Sequence, residues 1–208
     1  MKEQQLRENV LKIYRLLACG MIEHGELLET DAVVGSELLQ VKVRAHREDH
    51  GRLLGKGGAT FHAFRTVLGL IGYRAKFAVR LLPLENPIHG ERAIFQPPMS
   101  PAENWNSDEV KAMLEKVLKI LLAYPYTLDT VEDEIEHRTI FILQPDEREQ
   151  MPLAKHDLLK NLSVIFNAIG NNKGRTIAIQ GERPADMETK GVVAEAGKRI
   201  SPNEKRVH

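Results

Sequence analysis

Cysteine is almost absent. Cys19 is the only one in 208 residues, which excludes an intrachain disulfide and a cysteine-built zinc site. Aromatic residues are scarce (Trp 1, Tyr 4, Phe 6), which argues against a base-stacking platform of the RRM type. No apolar run approaches the roughly 18 residues that a membrane helix needs. The start, Met1-Lys2-Glu3-Gln4-Gln5, is polar and no apolar signal core follows it. A secretory route is therefore not expected, and a soluble, cytoplasmic protein without a membrane partner is. Net charge is also missing: 29 Lys and Arg balance 29 Asp and Glu. Taken whole, that balance speaks against a nucleic-acid binder.

The remainder is ordinary for a globular chain, 42% hydrophobic and 28% charged, enough for one medium domain or two small ones. The charge is unevenly spread. Residues 1–84 hold 13 basic and 9 acidic residues, whereas 85–182 hold 10 and 16, and 183–208 hold 6 and 4. Within 40–80, nine cations (Lys42, Arg44, Arg47, Arg52, Lys56, Arg65, Arg74, Lys76, Arg80) face only Glu48 and Asp49. A local basic field attracts polyanions whatever the total charge.

Leu6, Val10, Ile13 and Leu17 share one helical face, which predicts a helix over 3–19. Leu39, Val41, Val43 and Ala45 alternate with Gln40, Lys42, Arg44 and His46, the pattern of a half-buried strand over 38–46. A glycine-rich break precedes a second helical face, Phe61, Phe64, Leu68 and Ile71. Phe77, Val79 and Leu81 then mark a strand over 75–82. Pro83, Pro87, Pro97, Pro98 and Pro101 break helix and strand alike, so 85–106 reads as a linker. Ser107 or Asp108 is placed to cap a helix carrying Val110, Met113, Leu114, Val117, Leu118 and Leu121. Thr139–Leu143 reads as a buried strand. Leu159, Leu162, Ile165, Phe166 and Ile169 give a helix, and Ile177 and Ile179 a last strand. Residues 183–208 lack periodicity and contain Pro184, Gly191, Gly197 and Pro202, the composition of a flexible tail.

The second half repeats the first. A shift of 98 lays 38–82 on 136–180 without a gap, so that Phe64 meets Leu162, Val67 meets Ile165 and Leu68 meets Phe166. Ile71 meets Ile169, Gly72 meets Gly170 and Val79 meets Ile177. Upstream, Val10-Leu11-Lys12-Ile13 recurs as Val117-Leu118-Lys119-Ile120 at another offset. Two copies of one fold follow, at 1–84 and 107–182.

The stretch that carries chemistry is Gly51-Arg52-Leu53-Leu54-Gly55-Lys56-Gly57-Gly58, followed by Ala59-Thr60-Phe61-His62-Ala63-Phe64-Arg65. Glycines here let the backbone approach a ligand and take positive φ. The turn opens a helix, whose N-terminus offers N–H groups and a dipole end to an anion, and Lys56 adds a charge at the tip. The nucleotide P-loop pattern fails, because Gly51 and Gly55 are too close and Gly57 follows Lys56 where Ser or Thr is required. A plain helix–helix turn would explain the glycines but not the lysine and its basic surroundings.

This run resembles the KH family of nucleic-acid-binding domains, with Leu54 before the Gly-x-x-Gly loop and Phe61 after it. The preceding elements resemble the type II arrangement of the small bacterial KH RNA-binding proteins. The resemblance covers about 3–82. It implies an α+β fold of two type II KH-like units, each a small three-stranded sheet packed by helices on one face. It also implies that Gly55, Lys56, Gly57 and Gly58 clamp the backbone of single-stranded RNA or single-stranded DNA. Leu54 and Phe61 would floor a groove for bases, with Arg52, His62 and Arg65 near phosphates. No catalysis and no cofactor are implied. In the second copy, Leu153-Ala154-Lys155-His156 replace the loop, and Glu132, Asp133, Glu134 and Glu136 cluster. That copy is expected to be degenerate, kept for packing, self-association or a protein partner, with auxiliary contact through Lys155, Lys160, Lys173 and Arg175 as a weaker alternative. The competing class is an interaction or ribosome-assembly adaptor that uses the fold as scaffold.

His46, Asp49, His50 and His62 span a strand end, a turn and a helix without compact ligand spacing, so no metal site is expected. The Glu132-Asp133-Glu134 run has no nucleophile beside it and reads as a solvated face. Cys19 and Trp105 belong to no pattern, a buried thiol and a linker anchor being the expectations.

Overall fold

Leu6, Val10, Ile13, Tyr14 and Leu17 are all buried along one side of α1 (Glu3–Cys19), as the periodicity requires. The architecture comes from a computed structural model that describes residues 3–85, 87–88, 106–122, 125–145 and 154–181. The expected tail, Trp105 and most of the expected linker lie outside these residues. After α1 come β1 (Glu29–Val34), β2 (Leu38–Arg44), α2 (His50–Leu54), α3 (Ala59–Arg74) and β3 (Ala78–Leu81). The second half contributes α4 (Ser107–Leu121), β4 (Tyr126–Asp133), β5 (Arg138–Pro145), α5 (Ala154–Asn171) and β6 (Thr176–Gln180). The fold is α+β, with two separate three-stranded sheets.

Both sheets have one plan. β1 and β2 are antiparallel, with Ala32 opposite Val41; β2 and β3 are parallel, with Leu39 opposite Val79. β4 and β5 are antiparallel, with Thr130 opposite Phe141; β5 and β6 are parallel, with Phe141 opposite Ile179. The sequence periodicity had no signal for β1 and β4. Both are edge strands that keep acids such as Asp31 and Asp129 on the solvent side, and β1 buries only Ala32 fully. The cap of α4 lies one residue earlier than expected: the Asn106 side chain accepts from Asp108 N–H (3.0 Å) and Glu109 N–H (3.2 Å). Asn serves as well as Ser or Asp there.

The repeat is carried into three dimensions at the helix-to-strand joins. Phe77 N–H donates to Gly72 O at 2.9 Å, and Arg175 N–H to Gly170 O at 3.0 Å, 98 residues on. A Cβ on Gly72 would meet Phe77 O and Val79 Cγ2, each at 2.5 Å; a Cβ on Gly170 would meet Arg175 O at 2.6 Å and Ile177 Cγ1 at 2.8 Å. Both glycines exist because a strand crosses the helix too closely for a side chain. The next turn has positive φ in both, at Lys76 (56°) and Gly174 (68°).

Helices of the two halves share one apolar core, in which α3 packs on α5 and α1 contacts α4 and α5. Tyr14 and Phe64 meet at 4.7 Å between ring centroids, and Phe64, Phe141 and Phe166 are wholly buried. Each such side chain contributes roughly 1.5–3 kcal/mol of burial. Gly20 lets the halves approach, since its Cβ would lie 3.2 Å from Ile169 Cδ1. The Asn172 side-chain amide donates to Met21 O across the same seam.

The two sheets differ on the face turned away from this core. In β2 that face carries Gln40, Lys42 and Arg44, and the last two are exposed. In β5 it carries Ile140 and Ile142, which are 3% and 0% exposed and stand apart from the common core. Among the described residues, no helix is long and apolar enough to cross a membrane.

Candidate nucleic-acid interface

The glycine turn sits between α2 and α3. Leu53 is buried and anchors α2, while Leu54 beside it is 40% exposed. Gly55 turns the chain at φ 70° and ψ 173°, and its N–H donates to Gly51 O at 2.9 Å. A Cβ at Gly55 would lie 2.9 Å from the backbone nitrogen and the Cβ of Thr60, which is itself buried. Gly55 is therefore required by packing as well as by φ. Gly57 (φ 61°) differs: a Cβ there would meet nothing within 4 Å. Gly58 (φ 80°) is the N-cap of α3, and no side chain caps that helix. Lys56 and Gly57 are exposed at the tip. The turn thus presents an exposed lysine and a helix start without a side-chain cap, while the Gly58 and Ala59 N–H groups donate within the turn to Gly55 O and Lys56 O.

Beside it lies a groove of about 510 Å³ between α3 and the sheet edge at β3. Leu38, His62, Arg65, Thr66, Ala78, Val79 and Arg80 line it. His62 links turn and groove, since a Cβ on Gly58 would lie 3.6 Å from its ring. Its neighbour Phe61 is half-buried against the core, with its ring 6.4 Å from that of His62. His62 and Arg65 from the expected set therefore line the groove, whereas Leu54, Arg52 and the four loop residues do not.

Ion pairing sorts the basic residues further. Arg52 is paired to Glu23, Arg44 to Glu29 at 2.9 Å and Arg7 to Asp31 at 2.9 Å. Lys56, Arg65 and Arg80 have no ion-pair partner among the described residues, so their charge faces solvent undivided. Arg80 and Thr66 were missed as site residues. Arg80 stood in the basic cluster, but alternation cannot tell which strand becomes the edge beside α3.

The matching region of the second half has a different character. Leu153 is outside the described residues, and Ala154, Lys155 and His156 fall in the first turn of α5. The β4–β5 hairpin presents Glu132, Glu134 and Glu136 exposed around Ile135, which is 94% exposed. Asp133 Oδ1 accepts from Ile135 N–H and Glu136 N–H, both at 3.0 Å, and so fixes the turn. Arg175 donates to Glu134 at 2.7 Å and is committed there rather than to a ligand. That hydrogen bond is the main reason the Glu134 carboxyl is held below its ordinary range.

No protein-family model matches the chain, and no curated protein or solved structure matches it either.

Proposed function

We propose that residues 3–82 act as a KH-type module that binds single-stranded RNA without catalysing a reaction. The observation behind this reading is an open glycine turn beside a groove whose cations have no ion-pair partner among the described residues. Lys56 would hold phosphates at the turn, and Arg65 and Arg80 would hold them along the groove. Leu54 and Phe61 offer apolar contact for bases near the turn. The order of elements, helix–strand–strand–helix–turn–helix–strand, supports the same module. The second half then has a packing role, because α4 and α5 cover α1 and α3.

The test is binding of labelled random single-stranded RNA to wild type and to the Lys56→Asp/Gly57→Asp double variant at two salt concentrations. Asp tolerates positive φ better than most residues, and Gly57 has open space around it, so the variant keeps its fold. Expected is salt-sensitive binding, with a log–log slope of about −0.7 for each phosphate held, that the variant loses. Equal binding by both proteins overturns the loop assignment. Absence of binding by wild type overturns the RNA reading and favours the adaptor.

A further inference from the structure

One corner of the first half lies outside the proposed RNA surface. There the loop after α1 meets the turn after β2. The buried Asp49 carboxylate ties them together, accepting from Glu23 N–H at 2.9 Å and from His24 N–H at 3.0 Å. This sets the His24 ring against His46, with centroids 4.2 Å apart and planes at 58°. Glu48 closes the third side, with Oε2 at 3.3 Å from His24 Nε2. One ligand atom from each of His24, His46 and Glu48 lies within 4.8 Å of the other two.

We propose that His24, His46 and Glu48 bind one divalent transition-metal ion of zinc-like chemistry. Two imidazoles and a carboxylate suit zinc and its neighbours, whereas calcium and magnesium prefer all-oxygen sets. Donors about 2.0–2.2 Å from a tetrahedral ion stand roughly 3.3 Å apart, the separation of His24 Nε2 and Glu48 Oε2. The other separations in the set are within 4.8 Å and would shorten as an ion draws the three donors in. Glu48 is the mobile arm for it, since its side chain is 62% exposed, while His46 is buried and the His24 side chain is 14% exposed. The His24 ring is also oriented as a ligand: Nε2 faces Glu48 and Nδ1 faces Glu26 Oε1 at 3.7 Å. A simple His24–Glu48 ion pair has no use for His46. His46 Nδ1 accepts the Glu48 amide at 3.5 Å, a long and weak bond. An ion here would pin the loop after α1 to the turn that leads into α2. Chain order concealed the set, because His24 lies far from His46 and Glu48 in sequence.

The experiment titrates untagged, chelator-treated full-length protein with zinc ion by calorimetry, and with cobalt(II) as a visible-absorption probe. Expected are one ion per chain, micromolar or tighter affinity, tetrahedral cobalt bands and a melting temperature that rises with zinc and falls back with EDTA. His24→Gln and Glu48→Gln should each weaken binding about tenfold or more. His137→Asn, at a hairpin position of positive φ that Asn accepts, should leave it unchanged. Circular dichroism establishes which variants fold, and Glu48→Gln at an exposed position decides the matter if His24→Gln does not. Absence of saturable one-to-one binding overturns the proposal. So does wild-type affinity in the folded variants. No readout involves RNA, so the outcome is independent of the RNA reading.

Discussion

Apart from α2, which has no counterpart among the described residues, the two halves of this chain have the same order of helices and strands and almost the same joins, yet they present opposite surfaces. Gly72 and Gly170 do the same work 98 residues apart, admitting the strand that follows each long helix. In front of α3 the first half has a glycine turn with an open tip, and beside it a groove whose cations are unpaired among the described residues. The second half has an acidic hairpin in which Arg175 donates to Glu134. The outward face of β2 is charged, and that of β5 is apolar and buried. The comparison teaches that backbone closure tolerates little change, whereas the loop before the helix and the outer face of the sheet are free to diverge.

The largest expected effect breaks the comparison at the turn. Lys56→Asp/Gly57→Asp should lower RNA affinity by about 100-fold or more, near 2.7 kcal/mol, in a filter-binding or anisotropy assay. Lys155→Glu/Lys160→Glu in the second half should leave it unchanged; a matching loss there would make the halves functionally alike.

Next comes the shared join. Gly72→Ala and Gly170→Ala should each destabilise the protein by about 1–3 kcal/mol in urea unfolding, because each Cβ collides with backbone carbonyl and side chain. Gly69→Ala, helical and with nothing within 4 Å, should instead stabilise by up to ~1 kcal/mol. A neutral Gly170→Ala would separate the two joins.

Within the groove, Arg80→Gln should weaken RNA binding several-fold and reduce the salt slope by about 0.7. Arg52→Gln should do much less, since Glu23 already holds that guanidinium. Equal losses would place the site on the α2 side of the turn.

The smallest effect concerns pH. Hydrogen bonds from Arg7 and from Arg175 hold the Asp31 and Glu134 carboxyls below their ordinary range, one in each half. A depressed carboxyl adds stability above its unfolded pKa, and that stability is lost as pH falls through the folded value. Asp31→Asn and Glu134→Gln should therefore be slightly less stable than wild type at neutral pH and converge with it in acid. Both groups are fully exposed, so the differences should be small and fade with added salt.

Much of the fold was legible in the chain. Leu6 to Leu17, Leu39 to Val43 and Leu159 to Ile169 each bury the face that their spacing assigns. The 98-residue register held through Val67 and Ile165, both fully buried. β1 and β4 were not legible, because an edge strand that buries one face weakly has little alternation to read. Among the candidate site residues, the glycine turn and Lys56 were legible as a local motif, and His62 and Arg65 followed from helical spacing. Arg80 was not, because its place depends on β3 lying at the sheet edge beside α3.

The sequence alone determined what short-range periodicity encodes: helix faces, the central strands, the glycine turn and the repeat. Tertiary structure decided which cations stay open, because Arg52 is neutralised by Glu23 from a distant loop while Arg65 and Arg80 meet no acid among the described residues. It also brought His24 against His46 and Glu48, through a buried Asp49 that binds backbone amides far away in the chain. Charge and ligand geometry act through space over a few ångströms, and only the folded chain sets which residues come that close.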